Sequence, residues 1–266
     1  SGFWSSFSWQ LPSLLNKLEP DLLHLNGWRN AMTLQAWWWG KKSNTPYFVR
    51  GDGDVLGKKN RWKTRIRDVL YSPILANAHT VMVQGRSNAD YMLAGGAAKE
   101  RMEWIPCVSN SDVFARAVFD SKEQKLTFRR KHGVADEEVV FVVSGKLISR
   151  KRPQDVIDAI ATLNNPKYKV WFLGSGELEK TMQERASALG VSENIIWLGF
   201  QEQQVLPQFL QAADCFIHPS EMDPWPYAIL DAACSGLPLI LSDRVGSSLD
   251  WGAEPAAALV YECGNA

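Results

Sequence analysis

From Glu138 onward, short β-rich apolar runs alternate with amphipathic helical ones, and this alternation restricts the possible fold more than any other feature. The runs 139–144, 168–173, 194–198, 214–218, 239–242 and 258–261 are short and nearly continuous in Val, Ile, Leu and aromatic residues. Between them, helices are predicted over 153–163, 177–189, 204–212, 227–234 and 247–251. Val156, Ile157, Ile160 and Leu163 fall on one face of the first, and Leu178, Met182, Ala186 and Leu189 on one face of the second. Apolar strands alternating with helices mean a parallel sheet covered on both sides, a Rossmann-like α/β domain. In such sheets ligands sit beyond the carboxyl ends of the strands.

The N-terminal half is less regular. Runs 22–26, 47–50 and 80–84 read as strands, with helices near 28–39 and 60–75. Three strands make a thin sheet, as expected for the latter part of a second Rossmann-like domain whose first strands are absent. Residues 106–114 carry no helical period, so the join is placed there, giving domains 1–110 and 111–266. The chain starts inside helix-like sequence and stops straight after a strand-like run, so both ends read as cut.

The net charge of zero does not call for nucleic acid as a partner. Cys107, Cys215, Cys234 and Cys263 are scattered singly, which suits reduced thiols in a cytoplasmic protein better than a disulfide or zinc framework. No apolar run reaches membrane-spanning length, and nothing has the layout of a signal peptide.

Four successive strand ends carry ligand chemistry. The first runs into Gly145-Lys146-Leu147-Ile148-Ser149-Arg150-Lys151-Arg152-Pro153, a glycine turn with four basic residues that opens a helix, suited to a diphosphate. The second runs into Gly174-Ser175-Gly176, where missing side chains let backbone approach a base or ribose. The third ends in Gly199-Phe200. The fourth runs into His218-Pro219-Ser220 and an acidic loop, then a helix from near Pro226. Seven residues separate Asp223 from Asp231, so one carboxylate precedes the helix and the other lies inside it. Backbone N–H groups at such a helix start accept an anion, while each carboxylate can chelate a diol, a combination that suits a nucleotide sugar.

Gly145-Lys146-Leu147, Lys151, Gly174-x-Gly176, Gly199-Phe200, Pro219-Ser220, Asp223-x7-Asp231-Ala232 and Gly236-x-Pro238 together resemble the donor-binding domain of retaining GT-B glycosyltransferases of family 4. Pro20-Asp21-Leu22-Leu23-His24, Ala78-His79-Thr80-Val81 and Ile105-Pro106 resemble the family's N-terminal domain more loosely. The resemblance implies transfer of a sugar from a nucleotide sugar to an acceptor hydroxyl with retention, in bacterial surface polysaccharide or glycolipid synthesis. It implies neither cofactor nor metal, a carbohydrate or glycolipid acceptor, and a cytoplasmic protein with room for peripheral contact with the inner membrane. Asp223 would face the donor sugar hydroxyls and Asp231 the ribose diol. Lys146 and Lys151 would neutralise the leaving diphosphate. Gly174, Gly176, Gly199 and Phe200 would surround the base, Tyr227 and Ala228 would offer amides to the phosphates, and His24 would be the N-domain catalytic candidate.

The chain departs from the family in having two aspartates where glutamates are usual, Pro226 where glycine is usual, and His24-Leu25-Asn26 in place of His-x-His. Competing readings remain. Asp52-Gly53-Asp54 matches the metal-binding Asp-x-Asp of the GT-A fold, though the same residues make a good turn. The basic run Lys58–Arg67 suits anionic lipid or a solvated helix face. Trp37-Trp38-Trp39 cannot all face one way on a helix. A nucleotide-sugar epimerase would need an acid–base pair that the sequence does not supply. A non-catalytic nucleotide-sugar-binding protein is the alternative to an enzyme.

Overall fold

The computed structural model describes residues 3–28, 30–56 and 72–265. The basic run at 58–67 and most of the helix expected over 60–75 lie outside them. The chain divides into two compact units, Ser1–Pro106 and Cys107–Ala266, four residues before the join read from the sequence.

The N-terminal unit carries a parallel sheet of β1 (Leu23–Asn26), β2 (Tyr47–Arg50), β3 (Thr80–Val83) and β4 (Met102–Trp104), in that order across the sheet. The fourth strand was not anticipated. It has three residues, sits at the sheet edge, and carries Glu103 between Met102 and Trp104, so no apolar run announces it. Helix α1 spans Leu11–Leu18. Helix α2 spans Ala31–Ser43, later than the sequence suggests, because Asn30 caps it by accepting from the Thr33 N–H at 2.9 Å. Trp28, expected inside that helix, is buried in the core before it starts. Of the three consecutive tryptophans, Trp38 is the exposed one. Helix α3 (Arg86–Ala94) follows β3.

The C-terminal unit holds six parallel strands: β5 (Val139–Ser144), β6 (Tyr168–Leu173), β7 (Ile195–Gly199), β8 (Cys215–His218), β9 (Leu239–Ser242) and β10 (Ala258–Tyr261). Their order across the sheet is β10-β9-β8-β5-β6-β7. Helices α4 (Ser111–Ala115), α5 (Lys122–Lys131), α6 (Pro153–Leu163), α7 (Glu179–Ala188), α8 (Leu206–Ala212), α9 (Tyr227–Cys234) and α10 (Ser248–Trp251) connect or precede them. Both faces of the sheet are covered. Val140, Val142, Trp171 and Phe216 face one core with Ile229 of α9, while Val143, Val170 and Phe172 face another with Ile157 of α6 and Met182 of α7. Burial on both sides explains the continuous apolar runs of β5, β6 and β9, whereas β10 at the sheet edge leaves Leu259 and Val260 exposed.

Two sequence expectations fail at helix ends. Leu163 is 56% exposed and Leu189 43%, because each closes its helix as the chain turns toward the next strand. Helix α4 was not anticipated, while α5 is the basic helix expected to end before His132; it offers few apolar residues and instead buries Arg129, which reaches Asp214 at 3.1 Å and the Glu138 carbonyl. Among the described residues no helix is long and apolar enough to cross a membrane.

Candidate functional site

The strand order places a topological switch in the C-terminal unit. From central β5 the chain proceeds through β6 and β7 on one side, then returns to place β8, β9 and β10 on the other. The loops leaving the carboxyl ends of β5 and β8 therefore diverge and leave a crevice, the general ligand position in open α/β sheets. The basic turn follows β5 and the acidic loop follows β8, so residues 72 positions apart meet.

These two loops are stitched together. The Glu221 N–H donates to the Arg150 carbonyl at 2.9 Å, and Arg150 Nη1 donates to the Met222 carbonyl at 3.1 Å. The Lys151 ammonium donates to Asp223 Oδ2 in a largely buried ion pair. Behind it, His218 Nε2 lies 3.0 Å from the same carboxylate oxygen and 3.1 Å from Ser220 Oγ. On the far side the Gly246 N–H donates to the Asp223 carbonyl at 2.8 Å. Asp223 is thus held at its carboxylate by Lys151 and His218 and at its backbone by Gly246.

Charge states follow from burial and partners. His218 is 2% exposed, and burial, opposed by the Asp223 bond, pushes its pKa below the ordinary 6.5. It is neutral near pH 7, and since an ionised carboxylate only accepts, Nε2 carries the proton toward Asp223. Burial pushes the Asp223 carboxyl up, but the His218 bond and the Lys151 charge together outweigh it and hold the pKa below its ordinary value. The cluster at working pH is neutral histidine, anionic aspartate and cationic lysine.

This arrangement makes folding stability sensitive to acid. A histidine whose folded pKa is depressed contributes stability above its unfolded value of 6.5, and loses that contribution as pH falls toward the folded value. The unfolding free energy should therefore drop below pH 6.5 by at most about 1.4 kcal/mol per pH unit from this one proton, and the melting temperature with it. The His218→Gln variant should melt with a flatter pH dependence between 6.5 and 5, and parallel curves for the two proteins would show that His218 is not the group responsible.

The second carboxylate sits apart. Asp231 lies on the buried side of α9, 8% exposed, between Ile229 and Ala232 in the fully buried core. Its Oδ1 accepts from Ser109 Oγ, on the segment leading into α4. Burial raises the Asp231 pKa and the Ser109 bond opposes it. Among the described residues no hydrogen bond joins this pair to the Lys151–Asp223 cluster.

The other expected residues fall as follows. Lys146 is exposed in the turn after β5, with no side-chain hydrogen bond or ion pair among the described residues. Gly174 and Gly176 sit in the adjacent turn after β6, where the structure shows a reason for glycine that the sequence reading did not contain. A Cβ at Gly174 would lie 2.0 Å from the Gly145 carbonyl oxygen, and one at Gly176 would lie 2.4 Å from that of Leu147. The missing side chains let two neighbouring loops touch, and the Leu147 N–H donates to the Ser175 carbonyl at 3.0 Å. Gly199 ends β7, and Phe200 beyond it is 78% exposed. Tyr227 and Ala228 open α9, with Pro226 as the preceding cap residue.

In the N-terminal unit, His24 lies on the exposed face of β1, stacked on Phe48 of β2 at 4.4 Å. Asp52 and Asp54 are both engaged: Asp52 Oδ1 accepts from Gln84 Nε2, just past β3, at 2.6 Å, and Asp54 Oδ1 accepts from the Leu56 N–H in its own turn at 2.8 Å. A cavity of about 460 Å³ lined by Trp37, Lys41, Tyr47, His79 and Arg101 opens at the amino ends of β2, β3 and β4 and holds none of the expected site residues.

Sequence reasoning missed two residues. His218 had a signal, a polar residue ending an apolar strand five positions before Asp223. Ser109 had none, being 122 positions from its partner.

Comparison with known proteins bears on what this arrangement does. The profile of Glycosyl transferases group 1 matches residues 124–266, and that of the Glycosyl transferase 4-like domain matches residues 2–107. The lipopolysaccharide core biosynthesis glycosyltransferase LpsE of Rhizobium meliloti is 33% identical over 112 residues, covering 42% of this chain and 32% of LpsE. The GDP-mannose-dependent monoacylated alpha-(1-6)-phosphatidylinositol monomannoside mannosyltransferase of Corynebacterium glutamicum is 30% identical over 149 residues, covering 53% of this chain and 38% of that one. Among solved structures, Anabaena Alr3699/HepE in complex with UDP superposes with a TM-score of 0.76 at 18% identity, covering 96% of this chain and 68% of that one. At that identity the likeness shows the fold alone, and the fold is GT-B. The chain spans about a third of the length of these two sequence relatives.

Proposed function

This chain belongs to the group 1 glycosyl transferases, and from that membership we propose that it moves a sugar from a nucleoside-diphosphate donor to an acceptor hydroxyl with retention at the anomeric carbon. The setting we propose is bacterial polysaccharide or glycolipid synthesis in the cytoplasm, with a glycolipid acceptor bringing the protein to the inner membrane. The observation that carries the reading is the pairing of Lys151 with Asp223 at the switch-point crevice.

The chemistry follows from that pair. An ammonium has three donors, so Lys151 can keep one on Asp223 and offer the others to the diphosphate. Lys146, unengaged beside it, adds the second cation. As the bond to the anomeric carbon breaks, negative charge grows on the departing diphosphate, and fixed positive charge stabilises that state more than the ground state. The first N–H groups of α9, on Tyr227 and Ala228, act in the same sense. Asp223, anchored by His218, presents its remaining acceptor capacity to the donor sugar hydroxyls. Asp231 takes the ribose diol, Gly199 and Phe200 flank the base, and His24 is assigned to the acceptor side. Lysines and helix amides hold the leaving group without a metal in this scheme.

A panel of nucleotide sugars is expected to contain at least one that raises the melting temperature, because a ligand that binds only the folded state shifts the equilibrium. The same donor should then be hydrolysed or transferred, with undiminished rate in chelator. Loss of activity in chelator with recovery in manganese would instead promote Asp52 and Asp54 to ligands. Stabilisation without any turnover would favour the second reading, a non-catalytic nucleotide-sugar-binding protein.

A further inference from the structure

Asp231 is reached by a hydroxyl from a part of the chain that belongs to no strand end. Ser109 Oγ donates to Asp231 Oδ1, and among the described residues this is the one side-chain hydrogen bond to that carboxylate. Rigid packing a helical turn away fixes the position of Ser109. The next helix, α4, packs against α9, and its Phe114 is fully buried in the core that also holds Ile229 and Ala232. The Asn110 carbonyl accepts from the Val113 N–H at 2.9 Å, and Gln211 Nε2 clamps the Phe114 and Arg116 carbonyls, each at 2.8 Å. The segment carrying Ser109 and the helix carrying Asp231 are therefore two walls of one packed unit.

We propose that Ser109 is a positioning residue for the donor ribose: its hydroxyl pins Oδ1 of Asp231 so that the remaining acceptor sites of the carboxylate meet the 2′- and 3′-hydroxyls. The inference rests on the reading of Asp231 as the ribose acceptor. A carboxylate has about four acceptor sites, so one bond to Ser109 leaves enough for a diol while fixing the plane of the group. Aspartate is one methylene shorter than the family's usual glutamate, so its reach is limited and its orientation matters more.

The electrostatics act in the same direction. Burial raises the Asp231 pKa and the Ser109 bond lowers it, so removing the hydroxyl leaves burial unopposed and lets the carboxyl protonate at higher pH. A protonated carboxyl loses acceptor capacity. The titratable groups on the elements around it are Asp112 of α4, Cys215 and His218 of β8, and Tyr227 and Cys234 of α9 itself. Cys215 is pushed up to about 11, Cys234 is also raised and His218 is lowered, so these three are uncharged near pH 7. Asp112 is exposed.

The test compares wild type, Ser109→Ala, Ser109→Thr and Asp231→Asn by calorimetry at pH 7.5 and 5.5. The probes are the diphosphates of uridine, adenosine and guanosine, each beside its 2′-deoxy analogue. The tightest ribonucleotide should bind Ser109→Ala on the order of tenfold more weakly at pH 7.5, the scale of one hydrogen bond to a charged group. The ribo-over-deoxy preference should shrink toward that of Asp231→Asn. The deficit should deepen at pH 5.5, and Ser109→Thr should restore both affinity and preference. A purely structural Ser109 would weaken ribo and deoxy ligands equally and leave their ratio intact, which overturns the proposal. A ratio unchanged even in Asp231→Asn, or no binding of any probe by wild type, overturns the ribose reading itself and the role of Ser109 with it.

Discussion

Replacing Lys151 by alanine should lower the rate of sugar transfer by about 10²–10³-fold, the usual effect of removing one group that stabilises transition-state charge. Nucleoside diphosphate affinity should fall by less, about tenfold or somewhat more, because one charge-assisted contact is lost in the ground state. The split between the two numbers is the informative part, since a cation acting on the departing diphosphate contributes more as charge develops than before it. The mutation also removes one of the two partners that hold the Asp223 pKa down, so that carboxyl should titrate at higher pH while His218 still holds it. Lys151→Arg keeps the charge and should recover part of the rate. A folded Lys151→Ala protein with unchanged affinity and rate would remove the diphosphate from this crevice.

Gly174→Ala should destabilise the C-terminal unit by about 3–5 kcal/mol, at the extreme of single substitutions. Two causes add. Gly174 adopts φ +147, a conformation that side-chain-bearing residues rarely take, and its added Cβ would meet the Gly145 carbonyl oxygen at 2.0 Å. Backbone cannot rotate away as a flexible side chain would, so β5 and β6 must separate at their carboxyl ends. Gly190→Ala is the control: φ is +72 but the space around it is open, so only the conformational cost of about 1–2 kcal/mol applies. Urea unfolding of both variants measures the difference. Equal losses would mean that the two loops yield easily and that glycine at 174 is there for conformation alone. Because the displaced turn carries Lys146 and Lys151, residual folded Gly174→Ala protein should also bind nucleoside diphosphate more weakly.

Much of the C-terminal unit was legible because its determinants are local. Strands β5, β6, β9 and β10 and helices α6 and α9 have the bounds that apolar runs and helical period indicate. A strand buried on both faces has no freedom to be polar, and a helix against such a sheet must keep its stripe. At other elements the pattern fades: β4 is a three-residue edge strand, and α5 is tied to the sheet by the ion pair of buried Arg129 with half-buried Asp214. The strand ends that carry site chemistry were readable for the same local reason, since a glycine turn, a basic cluster and a carboxylate each stand out beside an apolar run.

What those residues do to one another was decided by tertiary structure. Sequence assigned Lys151 to a phosphate and Asp223 to a sugar, while the fold makes them partners, because the crossover after β7 returns β8 to the side of β5. His218 becomes a neutral support for that carboxylate only because burial in the sheet keeps it from charging. Ser109 meets Asp231 because α4 packs on α9, and Gly174 is glycine because two turns distant in sequence touch. Hydrophobic period is a property of neighbouring residues, so a linear chain displays it. Hydrogen bonds and charge states depend on which loops are brought within about 3 Å of each other, and here they join segments 72 and 122 positions apart, which only the order of strands in the sheet and the packing of helices on it can bring together.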